Sequence, residues 1–286
     1  MKSGFVTLLT LCSCLLFTPG RAANATEFNV QKTRSADGTE IAYVAGGAGE
    51  TTIVFVHGWT CDRSYWAAQL PAFTEDYRVI ALDLAGHGES AVGRETYSMA
   101  SFGADVAAVA SGTGPVVLVG HSMGGPVILA AAPLFGDRLA GLIAVDSLRD
   151  VTATPPSEAQ IQKQLAPMRE DYQAMARPRI ASMFLETSDP VLRDEIIDDM
   201  LATDPHVGIE AVRGMMQMDV PAALSRLQVP LVVINSTYQP TNFDAIAALH
   251  RDSSIRLMDG VGHFVMQEDP ETFNALLAEA LASLAL

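Results

Sequence analysis

A serine flanked by glycines carries the clearest chemical signal in the chain. Gly120-His121-Ser122-Met123-Gly124 reads Gly-x-Ser-x-Gly and directly follows the apolar run 115–119. A strand that ends in this pentapeptide and leads into a small-residue helix (Gly125, Ala130, Ala131, Ala132) makes a sharp, strained turn that pushes the serine hydroxyl clear of the sheet. Glycines on either side remove the Cβ atoms that such a turn and a closely packed helix would not accommodate. Ser122 is therefore the candidate nucleophile. A hydroxyl stays a weak nucleophile until a base takes its proton. His263, in Gly262-His263-Phe264 after the apolar run 255–258, is the candidate base.

The imidazolium formed when the base takes that proton needs a carboxylate beside its other nitrogen. The loop after the run 231–234 reads Asn235-Ser236-Thr237-Tyr238-Gln239-Pro240-Thr241-Asn242 and holds no carboxylate before Asp244. Asp146, directly after the run 142–145, is the candidate acid; Asp150 lies farther along a loop, and Asp244 begins a helix-like stretch. An oxyanion that develops at the attacked carbonyl needs at least two preorganised donors. The amide of Met123 and that of Trp59, in His57-Gly58-Trp59 after the run 52–56, are the candidates. His57 and His121, next to these groups, are candidate pocket residues, although His57, like His87, lies in a glycine-bearing loop where a local structural role is expected. His206 falls in the segment described next, and His250 in a helix-like surface stretch.

These residues all follow apolar runs, and the runs define the architecture. The stretches 52–56, 79–82, 116–119, 142–145, 231–234 and 255–258 alternate with helix-like segments. That pattern predicts an α/β fold with a mostly parallel, doubly wound sheet covered on both faces, whose functional groups gather at the carboxyl ends of the strands. Residues 27–44 predict a hairpin turning at Asp37-Gly38. Between 148 and 227 the alternation stops. Helix-like pieces at 157–175, 190–201 and 209–218, punctuated by Pro155, Pro156, Pro167, Pro178, Pro190, Pro205 and Pro221, predict a helical cap inserted between core segments 26–147 and 228–286. Its methionines, Met215 and Met216 among them, suit an adaptable apolar substrate pocket.

The chain of 286 residues is 49% hydrophobic and 18% charged, enough for one large core carrying an insertion. With 18 Lys+Arg against 33 Asp+Glu, a formal net charge of -15 and no basic cluster, nucleic acid is an unsuitable partner. Lys2, the apolar stretch 5–17, Pro19, Gly20 and Ala23-Asn24-Ala25 predict a secretory signal peptide over 1–25, cleaved after Ala25, with Ala22 and Ala23 as alternatives. The expected location is the periplasm or the medium. Cleavage would remove Cys12 and Cys14, leaving Cys61 unpaired and the protein held by its core instead of by internal disulfides. No other apolar run is long enough to span a bilayer, so stable membrane insertion is not expected.

In their order, His57-Gly58-Trp59, Asp83-Leu84-Ala85-Gly86-His87-Gly88, Gly120-His121-Ser122-Met123-Gly124 and Gly262-His263-Phe264 resemble the motifs of the α/β-hydrolase-fold superfamily, in its capped serine esterase and lipase-like form. The resemblance covers about 27–286 and implies a serine hydrolase acting on a carboxylic ester of a small or medium-sized apolar molecule, without cofactor or metal. Many relatives carry the triad acid after the penultimate strand. The placement at Asp146 is similar instead to that in certain haloalkane dehalogenases. Those enzymes and the related epoxide hydrolases use an aspartate nucleophile, so Ser122 argues against both activities. Amide, lactone or carbon–carbon bond hydrolysis, or cofactor-free perhydrolysis, could run on the same machinery. The rival from another class is a ligand-binding protein of the same fold with little turnover.

Overall fold

The computed structural model describes residue 1 and residues 28–284. Apart from Met1, the signal peptide expected at 1–25 and its cleavage site lie outside the described residues. Eight strands form one sheet: β1 (Val30–Arg34), β2 (Glu40–Gly46), β3 (Thr52–Val56), β4 (Arg78–Leu82), β5 (Val116–His121), β6 (Leu139–Val145), β7 (Leu231–Ser236) and β8 (Ser253–Met258). Their order is β1-β2-β4-β3-β5-β6-β7-β8. The β1–β2 hairpin adds antiparallel to β4, and every pairing from β4 to β8 is parallel. Strands β3, β5 and β7 are buried along their whole length, which is why they read as continuous apolar runs. The edge strand β8 is half-exposed and carries Arg256, a charge that blunts the open edge. Because β3, β5, β6 and β7 are neighbours, the loops after them emerge side by side.

Helices α1 (Leu70–Phe73), α2 (Met99–Val109) and α3 (Gly124–Ala131) fall between the first strands. Between β6 and β7 come α4 (Glu158–Glu170), α5 (Tyr172–Ala181), α6 (Pro190–Ala202), α7 (Pro205–Gln217) and α8 (Val220–Arg226); α9 (Phe243–Leu249), α10 (Val265–Glu268) and α11 (Pro270–Ala282) complete the chain. The expected helix at 157–175 is two helices. Asp171 leaves helical conformation and its side chain accepts the Ala174 amide as the N-cap of α5. Helices α6, α7 and α8 repeat the device: Asp189, Asp204 and Asp219 cap them, with Pro190, Pro205 and Pro221 in the first turn.

The segment 148–227 also differs from a pure cap. Helix α8 packs against α3 and α9 and so extends a helix layer of the core, whereas α4 to α7 pack on one another and reach the loops at the strand ends. Those contacts are specific: Trp59 Nε1 donates to Gly208 O at 2.8 Å, Tyr65 Oη to Asp199 Oδ2 at 2.8 Å, and Thr203 Oγ1 to Thr60 O at 3.1 Å. Cys61, in the same loop as Thr60, is buried and has no disulfide partner among the described residues.

Candidate active site

The sheet ladder itself carries Ser122 and Asp146 into place. Ser122 N donates to Val145 O at 2.9 Å, and Asp146 N donates to Ile234 O at 2.8 Å, so each residue is bonded to the neighbouring strand just past the end of its own. Both have left-handed backbone, φ 53° and 42°, a conformation that costs a residue with a Cβ about 1–2 kcal/mol. Further bonds hold it: Ser147 Oγ donates to Ser122 O at 2.7 Å, and Gly125 N donates to the same oxygen at 3.0 Å. Space at the turn demands glycine. A Cβ at Gly120 would fall 2.3 Å from Gly124 O, and one at Gly124 would fall 2.6 Å from Val56 O.

His263 spans the two. Ser122 Oγ donates to His263 Nε2 at 2.8 Å, and His263 Nδ1 donates to Asp146 Oδ2 at 2.5 Å, which assigns the Nδ1–H tautomer. Asp146 Oδ1 accepts from Ser236 N and Ser236 Oγ, each at 2.8 Å, and from the Arg149 guanidinium. Arg149 also donates to Ser236 Oγ and lies over the Tyr238 ring, 4.9 Å from its centroid. Burial works to raise the Asp146 carboxyl. The hydrogen bond and charge of His263, with Arg149 and the Ser236 amide, outweigh it and hold the group below the ordinary carboxylate range. Asp146 is thus an anion bound to an imidazole N–H. A hydroxyl, an imidazole and a carboxylate so connected can move a proton off the serine as its oxygen attacks an electrophile.

The amides of Trp59 and Met123 donate to no group among the described residues. The Gly58 backbone, next to Trp59, runs so close to the serine that a Cβ there would lie 3.2 Å from Ser122 Cβ. The Trp59 indole is fixed by its bond to Gly208, by an edge contact with Tyr172 at 6.2 Å, and by the Arg179 guanidinium 5.9 Å from its ring centroid.

The other expected pocket residues stand elsewhere. His57 is wholly buried: Leu84 N donates to its Nε2 at 3.0 Å, and its Nδ1 donates to Gly58 O at 2.8 Å. His121 is equally buried, and its Nε2 donates to His263 O at 2.9 Å. Both are supports beneath the site instead of pocket lining, because each ring spends a nitrogen fixing a backbone group. Met215 and Met216 are half-buried at the end of α7 and pack on the core. The inserted residues bonded or stacked against the loops of His263 and Trp59 include Met183, Phe184, Tyr172, Arg179, Thr203 and Gly208. Sequence reasoning passed over Arg149 and Ser236; the signal was the carboxylate-free loop 235–242, which supplies donors to an acid on the adjacent strand.

A parallel sheet with a strained serine turn and this hydrogen-bonded chain defines the class. Residues 53–276 match the sequence model of the Alpha/beta hydrolase family, and the chain belongs to that family. The chain is 28% identical over 256 residues to the dihydrolipoyllysine-residue acetyltransferase component of the acetoin cleaving system of Cupriavidus necator, covering 86% of this chain and 67% of that protein. It is 40% identical over 129 residues to a non-heme haloperoxidase of Rhodococcus erythropolis, covering 44% of this chain and 45% of that one. Among solved structures, a thermophilic esterase from Thermogutta terrifontis, with malate bound, superimposes with a TM-score of 0.77 at 27% identity, covering 90% of this chain and 99% of the esterase.

Buried neutral histidines give the fold a definite acid response. Burial, with the charge of His263, pushes His121 down to about 3; burial, with the charge of His57, does the same to His87; and burial lowers His57. Each group protonates first in the unfolded chain, so its contribution to stability is complete above about pH 6.5 and is lost as pH falls toward the depressed value, by up to ~1.4 kcal/mol per pH unit for each histidine. Urea unfolding followed between about pH 7 and about pH 4 is expected to show a steady fall in stability below about pH 6.5. A flat profile over that range contradicts the buried neutral state.

Proposed function

We propose that this hydrolase-family chain is an exported serine hydrolase that cleaves a carboxylic ester of a small or medium-sized, largely apolar substrate. The observation that carries the reading is the continuous chain from Ser122 Oγ through His263 to Asp146, at 2.8 and 2.5 Å. Ser122 Oγ attacks the ester carbonyl carbon while its proton passes to His263 Nε2. The Trp59 and Met123 amides hold the resulting oxyanion. As the tetrahedral intermediate collapses, His263 returns the proton to the departing alkoxide and the acyl group remains on Ser122. Water then gives a proton to His263 and its oxygen to the acyl carbon, releasing the acid and restoring the serine. Asp146 keeps the imidazole in the Nδ1–H tautomer and stabilises it when charged. The likeness to a solved esterase supports the ester as the bond cleaved. Export rests on the N-terminal sequence alone.

A fluorophosphonate probe is expected to label the wild type and not Ser122→Ala, with ester turnover reduced by about 10³-fold or more in the variant. Intact mass of the labelled, exported protein is expected to place its first residue near Thr26. Equal labelling of both proteins contradicts the nucleophile, and an exported chain that still carries Lys2 contradicts the cleavage. Tight ligand binding with no turnover by the wild type would favour a binding protein.

Asp146→Asn is expected to keep the fold and lower the acylation rate by ~10²- to 10⁴-fold, because the imidazole loses the acceptor that fixes its tautomer. Asp244, in the first turn of α9, serves as the control, and Asp244→Asn is expected to retain the wild-type rate. The reverse result would move the acid to Asp244.

A further inference from the structure

One carboxylate grips the base loop from both sides. Glu268, at the end of α10, turns its side chain back toward the start of the loop: Gly262 N donates to Oε2 at 3.0 Å and Phe264 N donates to Oε1 at 3.1 Å. The amides before and after His263 therefore share one acceptor group. A third donor comes from the inserted segment, where Ser188 Oγ donates to Glu268 Oε2 at 2.6 Å and itself accepts from Leu185 N at 3.1 Å. The same segment grips His263 directly, because His263 N donates to Met183 O at 2.8 Å. Phe184 stacks on Phe264 with centroids 5.0 Å apart. The approach is so close that a Cβ at Gly262 would fall 2.5 Å from Met183 O.

Glu268 forms no ion pair with Lys, Arg or His among the described residues. Its negative charge is met by these three donors, and hydrogen bonds to an ionised acceptor are roughly twice as strong as neutral ones. We propose that Glu268 is a positioning residue of the reaction: by binding the amides on either side of His263 and the hydroxyl of Ser188, it sets the imidazole against Ser122 and Asp146 and makes that setting depend on the inserted helices. The proposal rests on the Ser122–His263–Asp146 reading above. Its physical basis is that His263 must satisfy two short bonds at once, and a shift of about 1 Å can cost on the order of 10²-fold in rate. Glu268→Gln keeps the shape of the side chain but replaces one acceptor oxygen with an NH2 group. Whichever way the amide turns, a donor then faces a donor on one side of the loop.

The test compares the full-length wild type, Glu268→Gln and Ser188→Ala by stopped-flow hydrolysis of p-nitrophenyl acetate. Burst amplitude counts competent sites, and the burst rate is taken per site. Glu268→Gln is expected to lower that rate by about 10- to 100-fold with KM within about 2-fold of wild type. Ser188→Ala is expected to lower it less, in the same direction; should Glu268→Gln fail to fold, Ser188→Ala carries the comparison. A loss confined to burst amplitude or thermal midpoint, with the rate per site unchanged, would make Glu268 a structural cap and overturn the proposal, as would a rise in KM alone. An unchanged Ser188→Ala overturns the link to the inserted helices. The low-field proton resonance of the His263–Asp146 hydrogen bond separates this inference from the proposed reaction. If the wild type cleaves no ester but the resonance moves in Glu268→Gln, the esterase reading fails and the positioning stands; if the resonance is unmoved, the positioning fails.

Discussion

Parallel strands that lie side by side end at the same edge, and here the ladder runs on past that edge. Ser122 N bonds to Val145 O and Asp146 N to Ile234 O, so β5, β6 and β7 lock two consecutive strand ends to one another. Both residues are held in left-handed backbone by those bonds. The strain is local, and the support is the whole buried sheet. Remove the continuity of the ladder and neither the hydroxyl nor the carboxylate stands where one imidazole can bridge them. The glycines at 120 and 124 follow from the same constraint, because α3 must leave the turn almost in contact with β3.

Around that frame, most polar groups near His263 are committed to fixing something. Arg149 and Ser236 bind the Asp146 oxygen that His263 does not use, which leaves the other oxygen to the imidazole. Asn235 exchanges two hydrogen bonds of 3.0 Å with the Ser147 backbone and so ties the loop after β6 to β7. His121 holds the His263 carbonyl from below. The Trp59 and Met123 amides near the serine donate to no group among the described residues, and on the proposed reaction they are the donors for the oxyanion.

The central strands are legible from sequence because a parallel sheet buried on both faces has to be apolar throughout, and the runs 52–56, 79–82, 116–119, 142–145, 231–234 and 255–258 each lie within an observed strand. The serine turn was legible because its glycines are sterically required. Asp146 could be reached by elimination, since the loop 235–242 lacks a carboxylate; that the same loop answers with Ser236 could not, because a serine's partner depends on strand register. His121 looks like a pocket residue in a linear reading because it adjoins Ser122, and His57 because it lies two positions before Trp59. Burial decides otherwise: both rings are fully enclosed, with ring nitrogens bonded to backbone groups that no linear reading pairs with them. The helix-like piece at 157–175 runs through Pro167, and Pro167 and Pro178 do lie inside α4 and α5; the break comes at Asp171, an ordinary polar residue by composition, which caps α5. Glu268 escaped notice because its function is to bind backbone, and backbone amides leave no signature in sequence.

On the proposed reaction, the hydroxyl at the end of β5 carries a covalent acyl group formed with the help of His263 and Asp146. Rapid-quench mass mapping of the protein mixed with p-nitrophenyl acetate tests it most directly, by asking which peptide carries the acetyl group within the first turnover. A transient acetyl is expected on the peptide containing Ser122, forming at the rate at which p-nitrophenolate appears and decaying at the steady-state rate. Product release with no acylated peptide at any time, or an acetyl group carried stably on another residue, would contradict it.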